Sequence, residues 1–221
     1  MTKHIQSLPL DFVQGYGDWT AQRTAKHKEA AVQLADKGQQ PQAMVIACCD
    51  SRVQPTTVFN GDIGDFFVYR NIANTVPAAD DVLAVSTAAA LEYGVTVLNI
   101  PHLIVMGHSQ CGGVQGCHAL CKGEAPALEQ STSFVGRWLQ ILRPAYAHVQ
   151  QANVPADAQL TAMEQAGVLL SLDNLMTHDF VKSRVEAGTL AMHGTWVDIR
   201  SGVVSAYDPM AQAFTPLVSV S

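Results

Sequence analysis

Two short apolar runs of this chain end in side chains that bind metals and move protons. Ala43–Ala47 stops in Cys48-Cys49-Asp50-Ser51-Arg52, and Leu103–Met106 stops in Gly107-His108-Ser109-Gln110-Cys111-Gly112-Gly113. Zinc prefers thiolate and imidazole ligands in tetrahedral geometry, and a catalytic zinc takes three protein ligands with a fourth position open. Cys48, His108 and Cys111 supply that set. Ser109 and Gln110 alone separate His108 from Cys111, so one turn can place both on one ion, while Cys48 must arrive from the other strand. Packing alone gives no reason for this spacing.

Asp50 follows Cys48 by two residues and either completes the metal shell or accepts a hydrogen bond from a metal-bound water. Arg52 bears on the choice, because a guanidinium holds a carboxylate through a two-pronged hydrogen bond and keeps it ionised. With the pair formed, the ion stays open to water. With the pair broken, Asp50 can swing onto the ion as a fourth ligand in a closed state.

The elements that must position these groups read as an α/β fold, a mainly parallel central sheet flanked by helices. Strands are expected at Gln42–Ala47, Phe66–Arg70 and Leu103–Met106, the first continuous and apolar as when both faces are covered. A helix capped by Asp80 or Asp81 and ended by Gly94 falls between the second and third. Helices are expected again over Gly113–Cys121, over Ser131–Gln150 with a break near Pro144, and over Thr161–Arg184 in two pieces. Such alternation indicates parallel strands with crossovers, whose ligands bind beyond the carboxyl ends of the strands, where Cys48 and His108 fall. Trp196–Ile199 and Val203–Tyr207 flank Arg200-Ser201-Gly202 as a hairpin or edge strand. Ahead of the sheet, Asp18–Lys37 predicts an amphipathic helical arm closed by Gly38, able to pack on its own core or on a neighbouring protomer.

At 221 residues, one sizeable core is expected. Charged residues make up 14% of the chain and apolar ones 48%, lean for a fully wetted surface, so a homo-oligomer is expected. A net charge of -6 without a Lys/Arg run argues against nucleic acid. Neither a Walker loop nor Gly-x-Gly-x-x-Gly occurs, which leaves nucleotide binding unsupported. Met1–Leu10 lacks the blocks of a signal peptide, and no apolar stretch approaches the roughly 20 residues of a membrane span, so a soluble, cytoplasmic protein is expected. Five Cys without an export signal favour thiols and metal ligands over disulfides. Cys117 and Cys121 share a helix face and offer a weaker, second metal reading against plain burial.

Cys-x-Asp-x-Arg followed by His-x-x-Cys resembles the beta class of carbonic anhydrases. The resemblance runs on through Arg70-Asn71-Ile72-Ala73-Asn74, Leu91-Glu92-Tyr93, the Gly112-Gly113 pair and His193-Gly194-Thr195-Trp196-Val197-Asp198-Ile199, covering Gln39 to Tyr207. It implies one domain over residues 1–221, with an arm over 1–38, a core over 39–207 and a tail over 208–221. It implies one zinc ion per chain and reversible hydration of carbon dioxide to bicarbonate through a zinc-bound hydroxide, with Asp50 oriented by Arg52. It further implies a plant-like substrate pocket of Gln39, Phe67, Ile72 and Tyr93. Gln39 and the Gly112 amide would steady negative charge, and Phe67 and Ile72 would wall an unhydrated slot. A homodimer is implied as the minimal unit, with Gln39 and Tyr93 able to come from across the interface. Cys49 departs from the Ser more usual at its position.

Three rivals remain. The same zinc site could hydrolyse carbon disulfide or carbonyl sulfide. It could be a non-catalytic centre closed permanently by Asp50. Gly107-His108-Ser109-Gln110-Cys111 also nearly spells a hydrolase nucleophile elbow around Ser109, with Asp173 and His193 as partners, although its last residue is Cys rather than Gly.

Overall fold

A computed structural model describes residues 4–218. The chain forms two compact units, one through Gln39 and one from Gln40 onward. The boundary falls one residue beyond the end expected for the arm.

The first unit is a pair of helices, α1 (Leu10–Gln22) and α2 (Ala25–Lys37), where one continuous helix from Asp18 is expected. The break is local. Arg23 and Thr24 turn extended, and the Thr24 hydroxyl accepts the His27 amide at 3.3 Å while His27 Nδ1 accepts the Thr24 amide, a reciprocal cap. Neither helix buries a residue, and Leu10, Phe12, Val13, Tyr16 and Trp19 stay exposed.

In the second unit the elements run β1 (Ala43–Cys48), α3 (Pro55–Val58), β2 (Phe66–Asn71), α4 (Val85–Glu92), β3 (His102–His108), α5 (Gly112–Cys121), α6 (Pro126–Glu129), α7 (Phe134–Leu139) and α8 (Arg143–Gln151). They continue as α9 (Gln159–Leu175), α10 (Asp179–Glu186), β4 (Ala191–Val197), β5 (Val204–Asp208) and β6 (Ala213–Pro216). Among the described residues the sheet has the order β2-β1-β3-β4-β5-β6. The first four strands are parallel, and β5 and β6 return antiparallel.

Burial follows from the two-fold period of a strand. On β1, Met44 and Ile46 join Leu103 and Val105 of β3 against α4, α9 and α10, while Val45 and Ala47 face the opposite cluster with Met106, Val53 and Val197. All six β1 residues are buried, which explains the unbroken apolar run. A Cβ on Gly107 would stand 2.6 Å from Val168, so only glycine lets α9 lie this close to β3.

Further expectations change. Asp81 caps a short turn through the Leu83 amide rather than α4, and Gly94 does not end that helix, which runs on as one π-type turn over Tyr93–Val97. A Cβ at Gly94 would come 2.9 Å from Met44 Sδ, so glycine serves close packing there. The sheet also runs past residue 207, because β6 pairs with β5 inside the stretch expected to be a tail.

Since β1 connects to β2 on one side and β3 to β4 on the other, the chain leaves the carboxyl ends of β1 and β3 in opposite directions. A crevice opens between them, where open parallel sheets bind ligands.

Candidate metal centre

Cys48 is the last residue of β1 and His108 the last of β3, neighbouring parallel strands. After His108 the chain reverses through Gln110, whose φ of 57° lies in the left-handed region, and this delivers Cys111 to the N-cap of α5. A non-glycine residue held there costs about 1–3 kcal/mol and persists only where its surroundings fix it. One fixing contact is visible: Arg52 Nη2 donates to the Gln110 carbonyl at 3.1 Å.

The three donor atoms lie within 4.8 Å of one another, and all three residues are buried. Cys48 Sγ and Cys111 Sγ are 4.0 Å apart. His108 Nδ1 bonds the Ser109 carbonyl at 2.8 Å, which fixes the tautomer and leaves Nε2 buried without a hydrogen-bond partner. A buried imidazole nitrogen that faces two sulfurs and has no hydrogen bond is disposed to ligate a cation, and two sulfurs with one nitrogen make a donor set suited to zinc. The residues fit the ion.

The local field favours the ligand form of Cys48 and disfavours that of Cys111. The hydrogen bond from the Cys111 thiol pulls the Cys48 thiol down to about 4 against burial, with His108 and the Asp50 and Ala73 amides adding to it. The same contact, together with burial, pushes Cys111 up, opposed by the Gly113 and Val114 amides. Two thiols so close share one proton until a cation replaces it. Burial pushes the His108 imidazole down, and the nearby Cys48 sulfur with the bond to the Ser109 carbonyl outweighs it.

Asp50 sits at the mouth, held by Arg52 through Nε to Oδ1 at 2.8 Å, Nη2 to Oδ2 at 2.6 Å and the Arg52 amide to Oδ1 at 2.9 Å. This fork keeps the Asp50 carboxyl well below the usual carboxylate range. Oδ2 remains 4.0 Å from His108 Nε2, beside the donors.

Arg70 and Glu164, which the sequence reading gives no role, also shape the centre. Arg70 donates to the Cys48 carbonyl at 2.8 Å, to the Asp50 and Val53 carbonyls at 2.6 and 2.8 Å, and to Gln54 Oε1 at 2.7 Å, tying down the whole Cys48–Gln54 loop. Glu164 accepts from the Cys111 amide at 3.1 Å and from the Trp196 indole at 3.3 Å. Its only sequence signal is its place in the buried stripe Met163, Glu164, Gly167, Val168, Ser171 and Leu175 of α9.

Of the expected pocket residues, Gly112 opens α5 beside the centre, and a Cβ there would meet nothing within 4 Å. Ile72 abuts Gly113, where a Cβ would stand 2.9 Å from it. Phe67 and Tyr93 stack with ring centroids 5.8 Å apart, but Phe67 pairs with Met44, four rungs before the Cys48–Asn71 rung. At about 3.3 Å per residue this is roughly 13 Å down the sheet. Gln39 is exposed at the end of the first unit.

The competing constellations do not assemble. Ser109 Oγ donates to Asp198 at 3.0 Å and accepts from the Ile199 amide, His193 bonds His102 at 3.1 Å beside the start of β3, and Asp173 lines a groove with His148. Cys117 and Cys121 have sulfurs 4.0 Å apart but no third ligand among the described residues, and Cys49 is exposed.

A sequence profile described as "Carbonic anhydrase" matches residues 43–204. Beta carbonic anhydrase 3 of Arabidopsis thaliana is 38% identical over 174 residues, which cover 78% of this chain and 66% of that protein. The solved beta-carbonic anhydrase CcaA superposes with a TM-score of 0.83 at 28% identity, covering 94% of this chain and 98% of the other. A beta-carbonic anhydrase of Sordaria macrospora, described as tetrameric, gives 0.75 at 26% identity over 92% and 96% of the two chains.

Proposed function

The chain belongs to the beta class of carbonic anhydrases, and we propose that it catalyses the reversible hydration of carbon dioxide to bicarbonate and a proton. One observation carries the reading: Cys48, His108 and Cys111 converge beside a carboxylate that Arg52 grips through both oxygens.

When bound, zinc supplies a Lewis acid that acidifies water at that position. The protein does the rest. Cys48, His108 and Cys111 would hold the ion. Asp50, ionised and acceptor-only, would accept a hydrogen bond from a water at the centre. Arg52 keeps Asp50 from closing the site, and Arg70 holds the loop that carries both. The Gly112 amide steadies the anion as it forms. Ile72 walls the slot of its own chain. Gln39, Phe67 and Tyr93 complete the pocket of a second copy, which suits the place of Phe67 four rungs down β2, its stacking on Tyr93 and the exposed apolar stripe of α1. The functional unit is therefore a homodimer or a larger homo-oligomer. No helix of the described residues is long and apolar enough to cross a membrane, and we place the enzyme in the cytoplasm, where thiols stay reduced.

Stopped-flow carbon dioxide hydration between pH 7 and pH 9, read beside zinc content, tests the proposal. Fast, zinc-dependent turnover that rises with pH supports it. A zinc-loaded protein that hydrolyses carbon disulfide and leaves carbon dioxide untouched overturns it.

A further inference from the structure

Glu164 is a carboxylate 4% exposed in the wall of the metal centre, and no ion pair among the described residues includes it. A buried carboxylate without a countercharge is unfavourable, and a Leu or Met of similar size would fill the same space on the α9 stripe without that penalty. What an apolar side chain would not supply is two acceptors. Oε1 takes the Cys111 amide at 3.1 Å and Oε2 takes the Trp196 indole at 3.3 Å. As the N-cap, Cys111 has an amide outside the α5 ladder, and Glu164 is its partner among the described residues. One side chain on α9 thereby ties the metal end of β4 to the start of α5.

We infer that Glu164 is a positioning residue for the metal centre, fixing the Cys111 backbone so that its sulfur shares one ion with Cys48 and His108. The reasoning rests on the zinc reading above. Cys111 follows a left-handed residue and precedes a helix, so its orientation has little support from strand pairing. The Glu164 bond holds the amide on one side of Cys111, while the Gly113 and Val114 amides address the sulfur on the other. The Trp196 bond in turn holds the carboxylate.

The test is zinc affinity, by competition with a chromophoric chelator, and the visible spectrum of the cobalt(II)-substituted protein. Loss of an outer partner of a metal ligand typically lowers affinity about 10–100-fold, and Glu164→Ala is expected in that range, with an altered cobalt spectrum. Glu164→Gln, which keeps an acceptor for the Cys111 amide, is expected to restore affinity to within about threefold. Trp196→Phe frees one oxygen of Glu164 and gives an intermediate loss. A folded Glu164→Ala protein with native affinity and spectrum overturns the inference. Should that variant not fold, native affinity and spectrum in Trp196→Phe do so. Neither readout needs turnover, so a native protein that binds zinc and fails to hydrate carbon dioxide sinks the proposed reaction and leaves this comparison standing.

Discussion

Two pairs of cysteines stand at the same separation in this chain, Cys48 with Cys111 and Cys117 with Cys121, each with sulfurs 4.0 Å apart. Only the first is a metal centre. Its sulfurs sit at a strand end and a helix N-cap, where backbone amides point at them and an imidazole nitrogen waits without a partner. The second pair lies one turn apart within α5. Burial pushes the Cys117 thiol up to about 12, with Cys121 adding to it. Proximity of two sulfurs is thus insufficient; what matters is surroundings that aim amides at the sulfurs and contribute a third donor.

The largest contrast expected is in metal content. Cys48→Ser should lose bound zinc and turnover together, while Cys117→Ser should retain a full equivalent, as read by elemental analysis of the purified proteins. Zinc retained by Cys48→Ser and lost from Cys117→Ser would reverse the assignment.

Next comes Asp50, which separates binding from chemistry at the first pair. Asp50→Asn keeps all three ligands and is expected to lower kcat/KM by about 100-fold, at the lower end for a proton-handling group, with zinc content unchanged. An unaffected rate would remove Asp50 from the reaction.

A smaller effect concerns pH and the second pair. The Cys117 thiol has a folded-state pKa above its ordinary 9.0, so its contribution to stability is complete below that value and is lost as pH rises toward about 12. Thermal unfolding of the native protein should fall across this window, and Cys117→Ala should flatten the decline while lowering the melting temperature near neutrality. A decline equally steep in the variant would show that other groups set it. The smallest change is expected from Cys121→Ser, at a half-buried position, with unaltered zinc content and stability within about 1 kcal/mol.

The metal centre is largely legible in the sequence because its ligands lie where apolar runs end, and because a turn fixes the spacing of His108 and Cys111. The parallel strands are legible for the same reason: β1 and β3 are buried on both faces and show no alternation. Residues that act through the backbone leave no such trace. Arg70 bonds carbonyls of Cys48, Asp50 and Val53, and Glu164 bonds the Cys111 amide, so neither contact depends on a side-chain spacing that a sequence displays. The break between α1 and α2 escapes notice because good helix formers flank it, and the reciprocal cap of Thr24 and His27 sets the new start. β6 is equally hidden, being a short edge strand with little burial and hence no pattern.

The ligands also differ in when the growing chain presents them. His108 and Cys111 come together, whereas Cys48 lies 63 residues before Cys111 and meets it only once β1 and β3 pair. An unfolded chain therefore offers a metal ion a two-donor fragment, and closing the long loop between the halves carries an entropic cost that grows only slowly with its length. Three-donor capture of zinc thus requires β1 and β3 to have paired. Completion of the three-ligand set during refolding accordingly requires β1 and β3 to join, and an ion bound early to His108 and Cys111 must wait for Cys48 to arrive.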